Sequence, residues 1–274
     1  MSTLAQFRNF TQRLPQTDLM PTIFIGHGSP MNGIEHNEFS QSWVDLAKNI
    51  PVPNAVLVVS AHWYTHGTFV TAMDFPTTIH DFGGFPRALF NVQYPAPGKP
   101  QLATEISGLV HSADVALDHD WGLDHGTWTI VRHMYPEANI PVLQLSIDYT
   151  KSPAQHYEMA REIYALRKKG VLIIGSGNMV HNLRLISWEM MHGGGYDWAN
   201  EMNYKFKNLI ANGDYQPLIN YQNLGPDAML AIPTPEHYLP LLYTLALRND
   251  KEEVTIFNDK AIGGSLTMTS VLVG

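Results

Sequence analysis

Thirteen histidines and no cysteine set the chemistry that this chain of 274 residues can offer. Without thiols there is no disulfide, no thiolate metal site and no cysteine nucleophile, so any metal is held by nitrogen and oxygen. Imidazole serves two ends: its neutral nitrogen ligates metals, and its titration near neutrality suits proton transfer. Five histidines stand where such chemistry would be placed. His27 lies between two glycines at the end of Thr22–Pro30, TIFIGHGSP. His62 follows the apolar run Val56–Ser60. His181 comes after Val171–Gly175 and a glycine turn, and His125 sits in a glycine-flanked loop ahead of a helix. His237 is expected in the first turn of a helix capped by Thr234. There the helix dipole disfavours a protonated ring and keeps a neutral nitrogen available. Three nitrogen ligands with one open position would make a catalytic zinc or non-haem iron site. Any one of these residues alone reads as an ordinary hydrogen-bonded loop histidine. Two at equivalent strand ends argue for a shared site.

The elements that must position them can be read from periodicity. Apolar runs predict strands over Thr22–Gly26, Val56–Ser60, Phe69–Met73, Val142–Ile147 and Val171–Gly175, with late strands over Val254–Phe257 and Ser265–Val273. Asn37 caps a helix over Glu38–Asn49, and Ser152-Pro153-Ala154-Gln155 is a capping box that starts another, ended by Gly170. Further helices are expected over Gln101–Val110 and Thr127–Tyr135, around Trp198–Leu209, and from Pro235 to Leu247. His133 and His156 fall inside such helices and read as structural or solvated. Asp74–Pro100 is a long irregular stretch, of the kind that often carries function. Strands alternating with helices predict a single α/β domain, residues 21–274, with a mainly parallel central sheet flanked by helices on both faces. Residues 1–20 form a polar leader with room for a short helix. In an open α/β sheet ligands bind outside the carboxyl ends of the strands, where His27, His62 and His181 fall.

Composition narrows the classes. The formal net charge is −8 with no basic stripe, which argues against nucleic acid as a partner. No apolar run approaches a membrane span and no signal peptide is visible, so a cytoplasmic location is expected. Gly175-Ser176-Gly177 lacks the third glycine of a dinucleotide fingerprint, and no P-loop is present. His192–Gly195 is similar to the oxyanion strand of esterases, but no serine occupies a Gly-x-Ser-x-Gly elbow.

Six motifs in order carry a resemblance: GHGSP at Gly26–Pro30, SAHW at Ser60–Trp63, HDFGGFP at His80–Pro86, LDHGTW at Leu123–Trp128, GSGNMVHNL at Gly175–Leu183 and TPEHYLPLL at Thr234–Leu242. Together the chain resembles the class III extradiol ring-cleaving dioxygenases, in their 4,5-DOPA extradiol dioxygenase-like branch. The resemblance implies one Fe(II) or Zn(II) per chain, held by His27, His62 and His237. His181 would be the acid/base beside the metal or a fourth ligand. His125 would face substrate and oxygen. It implies a small-molecule catechol, such as L-DOPA, opened beside its hydroxyls by molecular oxygen to a semialdehyde. Protocatechuate-type members have a carboxylate as third ligand, whereas His237 stands here with Glu236 adjacent. That all-histidine set suits zinc as well as iron. A zinc-dependent hydrolase and a non-enzymatic Memo-type interaction protein are the other readings of this fold. GHGS is also similar to tetrapyrrole metal chelatases, which lack the SAHW and TPEHYLPLL segments. Arg87 is the nearest candidate to bind a substrate carboxylate, and His80 has no role assigned. The sequence carries no signal of oligomeric state.

Overall fold

Runs such as Val56–Val59 and Leu172–Ile174 have no polar face, so strands made of them must be covered on both sides. The structure, a computed structural model, describes residues 19–274. The leader's expected helix lies outside the described residues. Along the chain come β1 (Thr22–Gly26), α1 (Glu38–Asn49), β2 (Ala55–Thr65), β3 (Thr68–Thr71), β4 (Thr77–Thr78), α2 (Pro100–Leu109), β5 (Val115–Asp118), β6 (Gly122–Leu123) and α3 (His125–Met134). Then follow β7 (Val142–Asp148), α4 (Pro153–Glu162), β8 (Val171–Gly177), α5 (Asp197–Asn212), α6 (Leu239–Ala246), β9 (Val254–Phe257), β10 (Ala261–Ile262), β11 (Leu266–Thr267) and β12 (Ser270–Val273). Shorter helical turns join them.

Eight strands make one sheet in the order β5-β3-β7-β2-β8-β1-β12-β9. Its centre, β7-β2-β8-β1, is parallel. β12 and β9 extend it antiparallel on one side, and β3 runs antiparallel to β7 on the other. Side chains alternate between the faces. Ile23, Ile25, Val56, Val58, Leu172 and Ile174 pack against Trp43 and Leu46 of α1 and Trp128 and Ile130 of α3. Phe24, Leu57, Val59 and Ile173 pack on the opposite face against Ile106 of α2, Met159 of α4, Phe206 of α5 and Tyr243 of α6. The result is the single α/β domain with helices on both faces that the pattern implies. Among the described residues no helix is long and apolar enough to cross a membrane.

The start signals at Asn37 and Ser152 act as expected. Asn37 accepts hydrogen bonds from the Phe39 and Ser40 amides, and Ser152 and Gln155 form a reciprocal capping box. The helix begun at Ser152 ends at Glu162, short of the expected Gly170, which instead closes the 3-10 turn Tyr164–Lys169 with φ 75°. Four other expectations are corrected. His62 lies inside β2 rather than after it, where the register with β7 shifts between Val59 and Tyr64. His125 opens α3 rather than preceding it in a loop, because Asp124 is the N-cap and its side chain accepts from the Thr127 amide. The last helix begins at Leu239, so Thr234 caps nothing and His237 sits in the turn before it. The late strand over Ser265–Val273 is divided into β11 and β12.

Candidate active site

β1 and β8 run side by side to a common end, with Gly26 opposite Gly177 and the His27 amide bonded to the Gly177 carbonyl at 3.0 Å. His27 therefore leaves the sheet at its carboxyl edge, and β2 brings His62 there through its register shift. The segment from His237 to Pro240 crosses directly over β8. A Cβ at Gly177 would lie 2.1 Å from the His237 carbonyl oxygen, and one at Gly175 would lie 2.3 Å from that of Pro240. Glycine at these two positions permits the close approach that seats His237. Asn178 fastens it by donating a hydrogen bond from its backbone amide to the His237 carbonyl at 2.9 Å. His181 hangs from the Ala231 carbonyl by its own amide, and its ring stacks on His237 at 3.5 Å and 8°.

The five histidines of the sequence reading thus meet at one edge. His27 and His62 bring their Nε2 atoms within 3.1 Å, and ligand atoms of His27, His62 and His237 all lie within 4.8 Å of one another. Burial, followed by the neighbouring histidines, holds His27 and His237 well below the usual histidine range. The same causes bring His62 down to about 3, and burial brings His181 down to about 4. All four rings are neutral at pH 7, and each has one nitrogen lone pair free for a ligand. The cause at His237 is burial, not the helix dipole expected from the sequence.

Three residues that sequence reasoning missed set which nitrogen carries the proton. Ser176 donates to the Gly126 carbonyl at 2.6 Å, so its oxygen can only accept from His27 Nδ1, 2.9 Å away. That puts the proton on Nδ1 and leaves Nε2 bare. Asp81 lies 3.3 Å from His62 Nδ1 and 2.9 Å from His125 Nδ1, and accepts the His125 amide at 2.9 Å. Burial alone would raise the Asp81 carboxyl, but the His125 hydrogen bonds and the charge interaction with both rings hold it below its ordinary value. Glu236 faces His237 Nδ1 at 3.3 Å and also accepts from Thr234. Asp81 lies within the quoted HDFGGFP motif and Glu236 within TPEHYLPLL. Ser176, the next-to-last residue of β8, lies within the quoted GSGNMVHNL motif, where nothing pointed to its role.

The candidate Arg87 is not brought in, nor is His80, which had no role assigned. His80 bonds the Val92 carbonyl through Nε2 at 3.0 Å and does not line the site. Arg87 is exposed and likewise outside it. His133 and His156 are structural: the first bonds the Asn32 carbonyl, and the second bridges Tyr243 and the Asp148 carbonyl. Above the histidines opens a cavity of about 510 Å³, walled by Phe82, Phe85, Leu183, Ile186, Trp188 and Met191 among others.

The tautomers test whether a cation fits. His27 Nε2 is bare because Nδ1 is committed to Ser176. His62 Nε2 is bare when Nδ1 carries the proton toward Asp81. Two lone pairs facing at 3.1 Å repel unless a cation lies between them. The donor set fits a metal.

Comparison with known proteins gives this site a lineage. Residues 21–265 match the family described as the catalytic LigB subunit of aromatic ring-opening dioxygenase. The chain belongs to that family, and its class is aromatic ring-cleaving dioxygenase. Among its relatives, the 4,5-DOPA dioxygenase extradiol of Escherichia coli K12 is 49% identical over 261 residues, covering 93% of this chain and 95% of that protein. The 4,5-DOPA dioxygenase extradiol of Beta vulgaris is 34% identical over 262 residues, covering 93% and 97%. A crystal structure of an uncharacterized protein from Escherichia coli K12 superposes with a TM-score of 0.80 at 43% identity, covering 93% of this chain and all of that one.

Proposed function

We propose that the chain opens the ring of a catechol, L-DOPA among them, beside its hydroxyls with molecular oxygen, giving a semialdehyde. The relatives named 4,5-DOPA dioxygenase extradiol support this reading. The observation that carries it is the approach of His27 Nε2 and His62 Nε2 to 3.1 Å, with His27 Nδ1 committed to Ser176. His27, His62 and His237 hold one metal, iron or zinc. Bound there, iron would supply a redox centre able to pass electrons to oxygen, which zinc, without redox chemistry, would not.

The chain's own residues do the rest. His181 is neutral at pH 7, which is the condition for taking a phenolic proton as general base. Its stacking on His237 keeps it at the edge of the ligand cluster, near enough to serve as a fourth ligand when no substrate is present. Asp81, 2.9 Å from His125 Nδ1, fixes the orientation of that ring, which faces substrate and oxygen. Phe82 and Phe85 shield this end of the cavity from water.

The test uses one preparation. Its bound metal is determined, stripped and replaced with ferrous iron without air. L-DOPA and oxygen are then added, and oxygen uptake and the coloured semialdehyde are followed. Uptake with iron and none with zinc is the expected result. No uptake with iron across a panel of catechols overturns the reading and directs attention to zinc-dependent hydrolysis.

A further inference from the structure

The cavity has two ends of opposite character. Its floor is the five histidines and Asp81. Its outer wall is apolar: Leu183, Ile186, Trp188 and Met191 come from the segment after β8, and Ile262 and Leu266 from the β10–β11 hairpin. Imidazole nitrogens can donate to or accept from the two hydroxyls of a catechol. The wall has nothing to answer a charge. Among the described residues no lysine or arginine lines the cavity. Asp81, the carboxylate that does, already faces His62 and His125. Trp188 is 81% exposed and Leu183 60% exposed at this mouth. Large apolar side chains left in water beside a cavity mark a surface that binds something apolar.

On the ring-cleavage reading, we infer that the site prefers catechols whose ring substituent is uncharged and apolar over those, like L-DOPA, whose substituent ends in charged groups. An alkyl arm para to one hydroxyl lies along Leu183, Ile186, Trp188 and Met191 and removes apolar surface from water. An ammonium or carboxylate in the same place loses water and gains no partner.

Protein loaded with zinc separates recognition from turnover. Isothermal titration at one pH compares catechol, 4-methylcatechol, 4-propylcatechol and L-DOPA. Affinity is expected to rise about fourfold per added methylene, so the propyl compound binds roughly 15-fold tighter than the methyl one. L-DOPA is expected to bind more weakly than 4-methylcatechol. Trp188→Ala, at an exposed position that tolerates truncation, brings the propyl-to-methyl ratio toward one, and Ile262→Ala lowers it from the other wall. If catechol binds but the series is flat, or L-DOPA binds tighter than 4-propylcatechol, this preference is overturned and ring cleavage stands. If none of the catechols binds, ring cleavage itself falls and the preference with it.

Discussion

Replacing Ser176 by alanine (S176A) probes the step on which the metal assignment turns. The hydroxyl is fully buried, donates to the Gly126 carbonyl at 2.6 Å and accepts from His27 Nδ1 at 2.9 Å. Alanine keeps the backbone and almost all the volume but leaves His27 Nδ1 without that partner and takes one hydrogen bond from the Gly126 carbonyl. Each such loss costs about 1–3 kcal/mol, so metal-free S176A unfolds at lower urea. A second, separate effect concerns the metal. With Nδ1 released, His27 is free to take the other tautomer, which puts a proton where the lone pair is needed. Losing an outer partner of a metal-binding histidine weakens affinity about 10- to 100-fold, equivalent to about 1.4–2.8 kcal/mol. The stabilisation that zinc confers on the folded state shrinks by the same amount. The assay is competition for zinc with a chromophoric chelator, beside urea midpoints with and without zinc. S176A that loses stability yet binds zinc as tightly as the parent refutes the assignment of Ser176 as the residue that fixes the tautomer of His27.

Other outcomes follow from the same geometry. Asp81→Asn removes the charge facing both His62 and His125, and kcat of the iron-loaded enzyme is expected to fall about 10- to 100-fold with iron content held constant; full kcat would sink the role given to Asp81. Gly177→Ala places a Cβ 2.1 Å from the His237 carbonyl, so it both destabilises the fold, by about 1–3 kcal/mol, and lowers zinc stoichiometry. A variant with normal metal content would show that His237 does not need that approach. His156 is buried and held down to about 4 from 6.5, so between those pH values the unfolded chain binds a proton that the folded chain refuses. Stability therefore falls with falling pH by about 1.4 kcal/mol per unit in that window from this residue, and H156Q should flatten the measured slope by that amount. An unchanged slope would mean that His156 is protonated in the folded protein.

The sheet was legible because its central strands are apolar on both faces, and α1 and α4 because Asn37 and Ser152 announce their starts. The five histidines could be nominated because glycines and strand ends flank them. The turn around His237 misled because Thr234-Pro235-Glu236 has the composition of a helix start, yet Thr234 spends its hydroxyl on the Glu236 side chain and the helix waits for Leu239. β11 and β12 were merged because the break between them, at Met268 and Thr269, has no turn residue to mark it. β4 and β6 are two residues each, too short for any period to show. Ser176 and Asp81 were hidden for a different reason. Their work depends on partners 149 and 44 residues away, at His27 and the His125 amide, and distance along the chain says nothing of such meetings.

β12 has a consequence for how the protein comes to be made. It is an interior strand, lying between β1 and β9. Its Ser270 hydroxyl receives the Gly26 amide at 3.0 Å, and the Met268 backbone lies where a Cβ on Gly26 would be, 2.7 Å away. The seat of His27, formed from β1, is therefore finished by β12. During synthesis β1 must wait, one edge bare, while more than two hundred residues are added. Until Ser270 is in place, His27 stands at an open edge of the sheet. Closing the sheet with β12 and seating His27 are thus one event rather than two.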